Sequence, residues 1–353
     1  MVYVQELLIC ILIYLNGMEG AAPFRRESKQ FGLFNIVKFD NVECSERMGV
    51  CFTTGECENR NGKINGHCAS GFGVCCVFSV TDCGSTVSQN VTYIRNPGFP
   101  SALRSTQTCS YTINKASPKI CQLRLDFERL ATAEPTDGVC GKSGAGAAGT
   151  GDKVTVTSPT GFNPPGIGGL CGENLNGQHM YVEFGDGNSI TWSISVGSDG
   201  NVNRFWNIKT SQISCESSFR APTGCTQYFT EKSGVISSYN RAGERMPAGS
   251  SYQNCVRRAN GFCSIEYRSR FFTLGSIVTS QTGVCAMGSV SIPNAVGTSI
   301  SNFCEKKFNA LAAQTQNGVI RSDSIPFQLG VTTKNSPLTD FEGFELNYNQ
   351  SPC

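Results

Sequence analysis

Charge is scarce in this chain. Only 16% of its 353 residues are Asp, Glu, Lys or Arg, and they nearly cancel to a formal net charge of +2. A surface without a dominant sign excludes the long-range attraction that gathers proteins on nucleic acid or anionic membranes. Histidine is scarcer, with His67 and His179 alone. No GDSGG-like nucleophile segment accompanies them, so a serine-protease triad has no visible parts. No C-x-x-C occurs, which excludes a thioredoxin-like redox pair and removes the usual zinc spacing. Helix-period patterns are sparse, and no apolar run approaches the roughly 20 residues that span a bilayer.

Cysteine and glycine are what the chain has in quantity, 19 and 39 residues. LLICILIYL, residues 7 to 15, is bounded by Glu6 and Asn16 and followed by the small residues Gly20, Ala21 and Ala22. This reads as the core of a signal peptide covering 1–22, so the mature protein is expected to be secreted and extracellular, without membrane insertion. Its removal takes Cys10 and leaves an even number of cysteines, which oxidise outside the cell. GHCASGFGVCCVF, residues 66 to 78, is therefore read as a covalent staple rather than a metal or redox centre.

The remaining cysteines fall into three groups of six. Cys44, Cys51, Cys57, Cys68, Cys75 and Cys76 make a tight knot. Cys83, Cys109, Cys121, Cys140, Cys171 and Cys215 share a spacing plan with Cys225, Cys255, Cys263, Cys285, Cys304 and Cys353. Each of these two groups opens on a wide gap, continues with a shorter one and closes on the widest, the sign of an internal repeat. Between the cysteines run alternating segments such as CQLRLDFERL (121–130), KVTVTS (153–158), HMYVEFG (179–185), SITWSISVG (189–197), GFCSIEYRSRFF (261–272) and GFELNYNQ (343–350). Alternation buries one face and solvates the other, the habit of antiparallel sheets. Turn signals at NPGFP (96–100), PPGIGG (164–169) and DGN (186–188) separate them. The predicted class is all-β: a small N-terminal disulfide knot followed by two antiparallel β-sandwiches. The short RAPTG connection (220–224) predicts a compact, stiff tandem.

DCGSTVS, YIRNPGFPS, CSYTI and CQLRLDF, taken in order, resemble the opening of a CUB domain. CTQYFTEKSGVISSYN, CVRRANGFCSIEY and GFELNYNQSPC resemble it more loosely. With the knot ahead of them, the whole is similar to arthropod secreted CUB-domain proteins, and the knot resembles the clip modules of arthropod proteases. The resemblance implies a signal peptide (1–22), a segment 23–82 carrying a clip-like knot at 44–76, and two CUB jelly-rolls at 83–215 and 225–353. It implies the bridges Cys83–Cys109, Cys121–Cys140 and Cys171–Cys215, with Cys225–Cys255, Cys263–Cys285 and Cys304–Cys353 in the second copy. Clip pairing would join Cys44–Cys75, Cys51–Cys68 and Cys57–Cys76. It also implies a non-enzymatic role in binding extracellular protein or glycan. The alternatives are an inactive accessory of an extracellular protease system and a venom or salivary protein.

A subset of the family holds calcium on three carboxylates, and the matching residues here are Glu134, Asp152 and Asp186. Such a set can begin the shell of six to eight oxygens that calcium takes. A Gly-rich insertion, GKSGAGAAGTG (141–151), separates Asp152 from Cys140 more widely than the family pattern does, and CAMGSVSIP after Cys285 has no such Asp. The reading is therefore of no cofactor, with calcium at this set as the alternative. The insertion lacks the first glycine of a phosphate loop and is read as solvated. Arg257, Arg258, Arg268 and Arg270 form a basic cluster suited to sulfated glycan or acidic protein. Asn90-Val91-Thr92 is a glycosylation sequon expected in a surface loop, while Asn349-Gln350-Ser351 is discounted because Pro352 follows.

Overall fold

The computed structural model describes residues 43–353 apart from 45–47, 143–150, 241–243, 276–284, 312–313, 315 and 339. The signal-peptide segment 1–22, residues 23–42 and most of the Gly-rich insertion lie outside the described residues. The chain from Phe39 to Cys353 is one compact unit, and it is all-β apart from one short α-helix and one 3-10 turn, Ala69–Gly71, among the described residues.

The knot holds β1 (Glu43–Cys44), β2 (Gly49–Phe52), helix α1 (Thr54–Asn59), β3 (Lys63–Cys68) and β4 (Gly73–Val80). Helix α1 starts where TTGE supplies a capping box: the Thr53 hydroxyl accepts from Glu56 N–H, and the Glu56 carboxylate accepts from Thr53 N–H. The bridges Cys44–Cys75, Cys51–Cys68 and Cys57–Cys76 hold the knot. It is not a free-standing bead. β4 runs on into the first sandwich and pairs in parallel with β6 (Val91–Arg95), so Val50, Phe52, Val74 and Phe78 share a small core with Val91 and Tyr93. So few residues cannot bury enough apolar surface alone.

The first sandwich continues with β5 (Thr86–Val87), β6, β7 (Gln107–Asn114), β8 (Ile120–Ala131), β9 (Lys153–Thr157), β10 (His179–Glu183), β11 (Ser189–Val196) and β12 (Phe205–Ser214). One sheet has the order β5-β7-β11-β9, and the facing sheet extends the knot as β4-β6-β12-β8-β10. Alternation does what the sequence predicts: β7 buries Cys109, Tyr111 and Ile113 and presents Thr108 and Ser110. Trp192 of one sheet meets Trp206 of the other at 6.0 Å between ring centroids.

The second sandwich holds β13 (Cys225–Phe229), β14 (Ser233–Ser237), β15 (Ser251–Val256), β16 (Phe262–Leu274), β17 (Gly288–Ser291), β18 (Asn302–Phe303), β19 (Val319–Ser322), β20 (Phe327–Thr333) and β21 (Phe341–Pro352). Its sheets run β13-β15-β20-β17-β18 and β14-β21-β16-β19. Both sandwiches depart from the purely antiparallel expectation, because β5–β7 and β13–β15 pair in parallel. In each case the intervening strand crosses to the opposite sheet, so the chain returns running the same way.

Four of the bridges implied by the resemblance are corrected. Cys121 pairs with Cys215 and Cys140 with Cys171, not Cys121–Cys140 and Cys171–Cys215. Cys263 pairs with Cys353 and Cys285 with Cys304, not Cys263–Cys285 and Cys304–Cys353. The cause is strand pairing. β8 and β12 are antiparallel neighbours, so Cys121 at the head of one lies beside Cys215 at the tail of the other, with Cα atoms 4.9 Å apart. β16 and β21 repeat the arrangement for Cys263 and Cys353. Cys83–Cys109 and Cys225–Cys255 complete the two sets.

Candidate functional site

The three calcium-candidate carboxylates do not converge. Asp152 enters β9 and Asp186 lies in the turn before β11. The antiparallel register of these strands puts the two at opposite ends of β11, roughly 25 Å apart along it. Asp152 is 2% exposed and is already satisfied. Arg204 Nε and Nη2 donate to its two oxygens at 2.8 and 3.1 Å, and the N–H groups of Ala133 and Gly197 add bonds of 2.8 and 2.7 Å. The remaining guanidinium nitrogen donates to the carbonyls of Asp199 and Val202. A buried carboxylate with this many donors has no oxygen to offer a metal, and the guanidinium already supplies the countercharge. Glu134 is used as well: one oxygen accepts from Glu173 N–H at 2.7 Å and the other from Asn240 Nδ2 at 2.8 Å. Burial holds its carboxyl above the ordinary range, against the pull of these two bonds. The residues present do not fit calcium. Among the described residues, no group of three or more His, Cys, Asp or Glu is placed to hold a metal ion.

The basic cluster also separates. Arg268 and Arg270 point outward from β16, where Arg268 faces Glu266 at 3.5 Å and Arg270 meets Glu345 at 2.9 Å. Arg257 and Arg258 sit in the turn ahead of β16, about six residues or roughly 20 Å of strand from Arg268. Asn90 is not in an exposed loop. It is 9% exposed, its Oδ1 accepts from Gln212 N–H, and Thr92 of the sequon is fully buried. Asn349, by contrast, is exposed on β21.

His179 lies where the sandwiches meet. Its Nε2 accepts the Tyr228 N–H at 3.0 Å, and its carbonyl accepts the Tyr239 hydroxyl at 2.9 Å. The rings of Tyr181 and Phe229 meet it edge-on at 5.7 and 5.2 Å. Burial, with help from Arg124, drives its pKa down to about 4 against the opposing influence of Asp126. His179 is thus a neutral acceptor at neutral pH, while His67 is exposed on β3.

Around His179 runs a continuous seam between the sandwiches. Gln178 Nε2 donates to Ser238 O at 2.6 Å, and Asn240 receives Asn174 N–H while donating to Glu134. Backbone bonds join Ala248 to Gly138, Leu338 to Asp137, and Ser251 to Pro165. Gly168 presses so close to Ala248 that a Cβ there would strike its carbonyl. Phe127 and Tyr239 are 6.3 Å apart, and one buried apolar cluster spans both sandwiches. The tandem is locked.

At one edge of the seam the loop 161–169 lies against β15 and β20 and encloses two adjoining hollows of about 360 and 440 Å³. Phe162 borders both and is 46% exposed, and Ile167 beside it is 73% exposed. In the sequence PPGIGG reads as a turn, and neither Ile167 within it nor Phe162 ahead of it carries a role. The available signal was a pair of large apolar side chains stranded in a Gly/Pro loop. Arg204 was missed too, although an arginine entering the apolar strand FWNI needs a buried partner.

Comparison with known proteins now adds a class. Residues 222–351 match the family described as Animal CUB domain, so the chain contains a CUB domain in its second sandwich. That is the copy whose sequence resemblance was the looser. No curated protein matches the chain. Among solved structures, the CUB1-EGF-CUB2 domains of rat MASP-1 are 15% identical, with 77% of this chain and 99% of that one covered at a TM-score of 0.27. The same domains of human MASP-1/3 are 15% identical, covering 74% and 100% at 0.26. The full extracellular region of zebrafish Gpr126/Adgrg6 is 14% identical, covering 77% and 34% at 0.29. Among the described residues, no helix is long and apolar enough to cross a membrane.

Proposed function

We propose that this chain is a secreted, non-enzymatic binding protein in which residues 83–215 form a second, diverged CUB module beside the one at 222–351. The two would act as one rigid platform for extracellular protein or glycan, with no nucleic-acid partner. The observation that carries this reading is the seam. Side-chain, backbone and apolar contacts fix the sandwiches together, and such preorganisation lowers the ordering cost of binding. His179 is engaged in holding the seam, with its ring nitrogen already occupied. The signal peptide at 1–22 and the likeness to arthropod secreted proteins belong to the same proposal.

The knot favours one second reading. Its first-to-fifth, second-to-fourth and third-to-sixth bridges follow the pairing that the clip resemblance implies, which suits an accessory of an extracellular protease system. Immobilised full-length protein, challenged with extracellular fluid and a glycan array beside a panel of hydrolase substrates, separates these readings. Saturable binding without turnover is expected, and turnover that copurifies with the protein would overturn the non-enzymatic assignment. A retained protease or protease inhibitor would favour the accessory reading.

A further inference from the structure

We infer that the cleft bordered by Phe162 is a binding site for an uncharged oligosaccharide, an assignment that rests on the binding-protein reading and narrows it. Neither hollow has an acidic or basic side chain in its lining, and the one phenol, that of Tyr252, is buried. The hollow on the outer face of β8 and β12 is lined by Arg124, Asp126, Glu128 and Lys209, and the hollow at the other edge of the seam by Asp137, Glu244, Arg245, Asp340 and Glu342. The ammonium of Lys153 lies outside the lining and donates to the Ile167 carbonyl at 3.1 Å. A sulfated or acidic ligand would find no cation in the cleft, and a cationic one would find no carboxylate.

What the cleft offers is hydroxyl and amide groups beside one ring. The register of β15, β20 and β17 puts Ser251 opposite Thr332, and Gln253 and Ser291 on either side of Gly330. Because Gly330 has no side chain, the Ser291 hydroxyl can lean over it, 2.5 Å from where a Cβ would stand, and reach towards Gln253 across the floor. Among the described residues, no hydrogen-bond partner is found for the side-chain amides of Gln253 and Asn335, both of which are exposed. Phe162 stands over this floor with almost half its surface in water. A flat apolar ring beside neutral donors and acceptors matches the two faces of a sugar: its C–H face packs on the ring and its hydroxyls bond to the amides and hydroxyls. The two adjoining hollows, sharing Phe162 and Ser251, form a trough rather than a point, which suits a chain of several sugars.

The trough is also preorganised. Ser251 N–H donates to Pro165 O at 2.6 Å, Gly168 N–H to Gly249 O at 3.3 Å, and Ser158 N–H to Asn163 Oδ1 at 2.9 Å. The first two bonds fix the loop of one sandwich to the other and the third braces the loop on itself, so the site exists only in the locked tandem. Its linker wall, Thr223 and Gly224, comes from the connection between them.

The test is titration of full-length protein with soluble neutral oligomers of glucose, N-acetylglucosamine and mannose, with heparin oligosaccharide as the charged comparison. Wild type is expected to bind at least one neutral oligomer, and Phe162→Ala to weaken it by about tenfold or more. Gln253→Ala should weaken it by several fold, with unfolding temperatures unchanged because both side chains are exposed. Binding of heparin alone, or neutral binding that survives both substitutions, would overturn the assignment. Absence of all glycan binding, in protein that still captures an extracellular protein, would overturn this site and leave the broader reading standing. Failure of both would remove the broader reading too.

Discussion

Two of the arginine–carboxylate pairs behave as opposites. In the first sandwich Arg204 and Asp152 are sealed inside, with side chains 1% and 0% exposed. On the outer face of the second, Arg270 keeps 57% of its side chain in water while pairing with Glu345. The contact distances, 2.8 and 2.9 Å, barely differ, so distance does not set the role. Burial does. The sealed pair has lost its water and cannot lose a partner cheaply, which makes it structure. The exposed pairs are screened by solvent and exchange partners at little cost, which leaves those arginines free for ligands.

The comparison breaks first at Arg204. Arg204→Ala leaves a buried carboxylate without its cation, and calorimetry should show a loss of about 3–5 kcal/mol; a loss below about 1 kcal/mol would mean the pair is not sealed. Next in size is pH. The folded pKa of His179, about 4, lies below its ordinary 6.5, so the unfolded chain binds the extra proton. Its contribution is complete above pH 6.5 and is lost as pH falls towards 4, a change of about 3 kcal/mol. His179→Phe should flatten that part of the stability profile, and a profile identical to wild type would remove the histidine from the account. Arg268→Ala and Arg270→Ala should each cost under about 1 kcal/mol of stability yet reduce heparin retention at low salt; unchanged retention would remove the anion-binding role of this face. The smallest expected effect is nil: adding or chelating calcium should leave the unfolding temperature unmoved, since Asp152 is saturated by Arg204 and Glu134 by Asn240 and Glu173. A rise with saturating calcium would contradict that assignment.

Much of the fold was legible in the residues, for physical reasons. Period-two alternation is forced wherever a sheet has one wet face, and CQLRLDFERL and SITWSISVG show it without ambiguity. The cysteine repeat was equally plain. Its connectivity was not, because Cys121 finds Cys215 through the pairing of β8 with β12, and such long-range register leaves no trace in spacing. The same limit explains the site residues. Glu134, Asp152 and Asp186 were chosen by their order along the chain, while Arg204 and Asn240, which claim two of them, are distant in sequence. Phe162 and Gln253 belong to different sandwiches, and only the seam brings them together.

The claim on which the account depends is that the two sandwiches move as one body. Backbone ¹⁵N relaxation on the intact protein measures this directly. A single rotational correlation time fitting both sandwiches, with the Tyr228 amide protected from exchange, is the predicted result. Two distinct tumbling times at neutral pH, or a rapidly exchanging Tyr228 amide, would contradict it and dissolve the cleft at Phe162 with it.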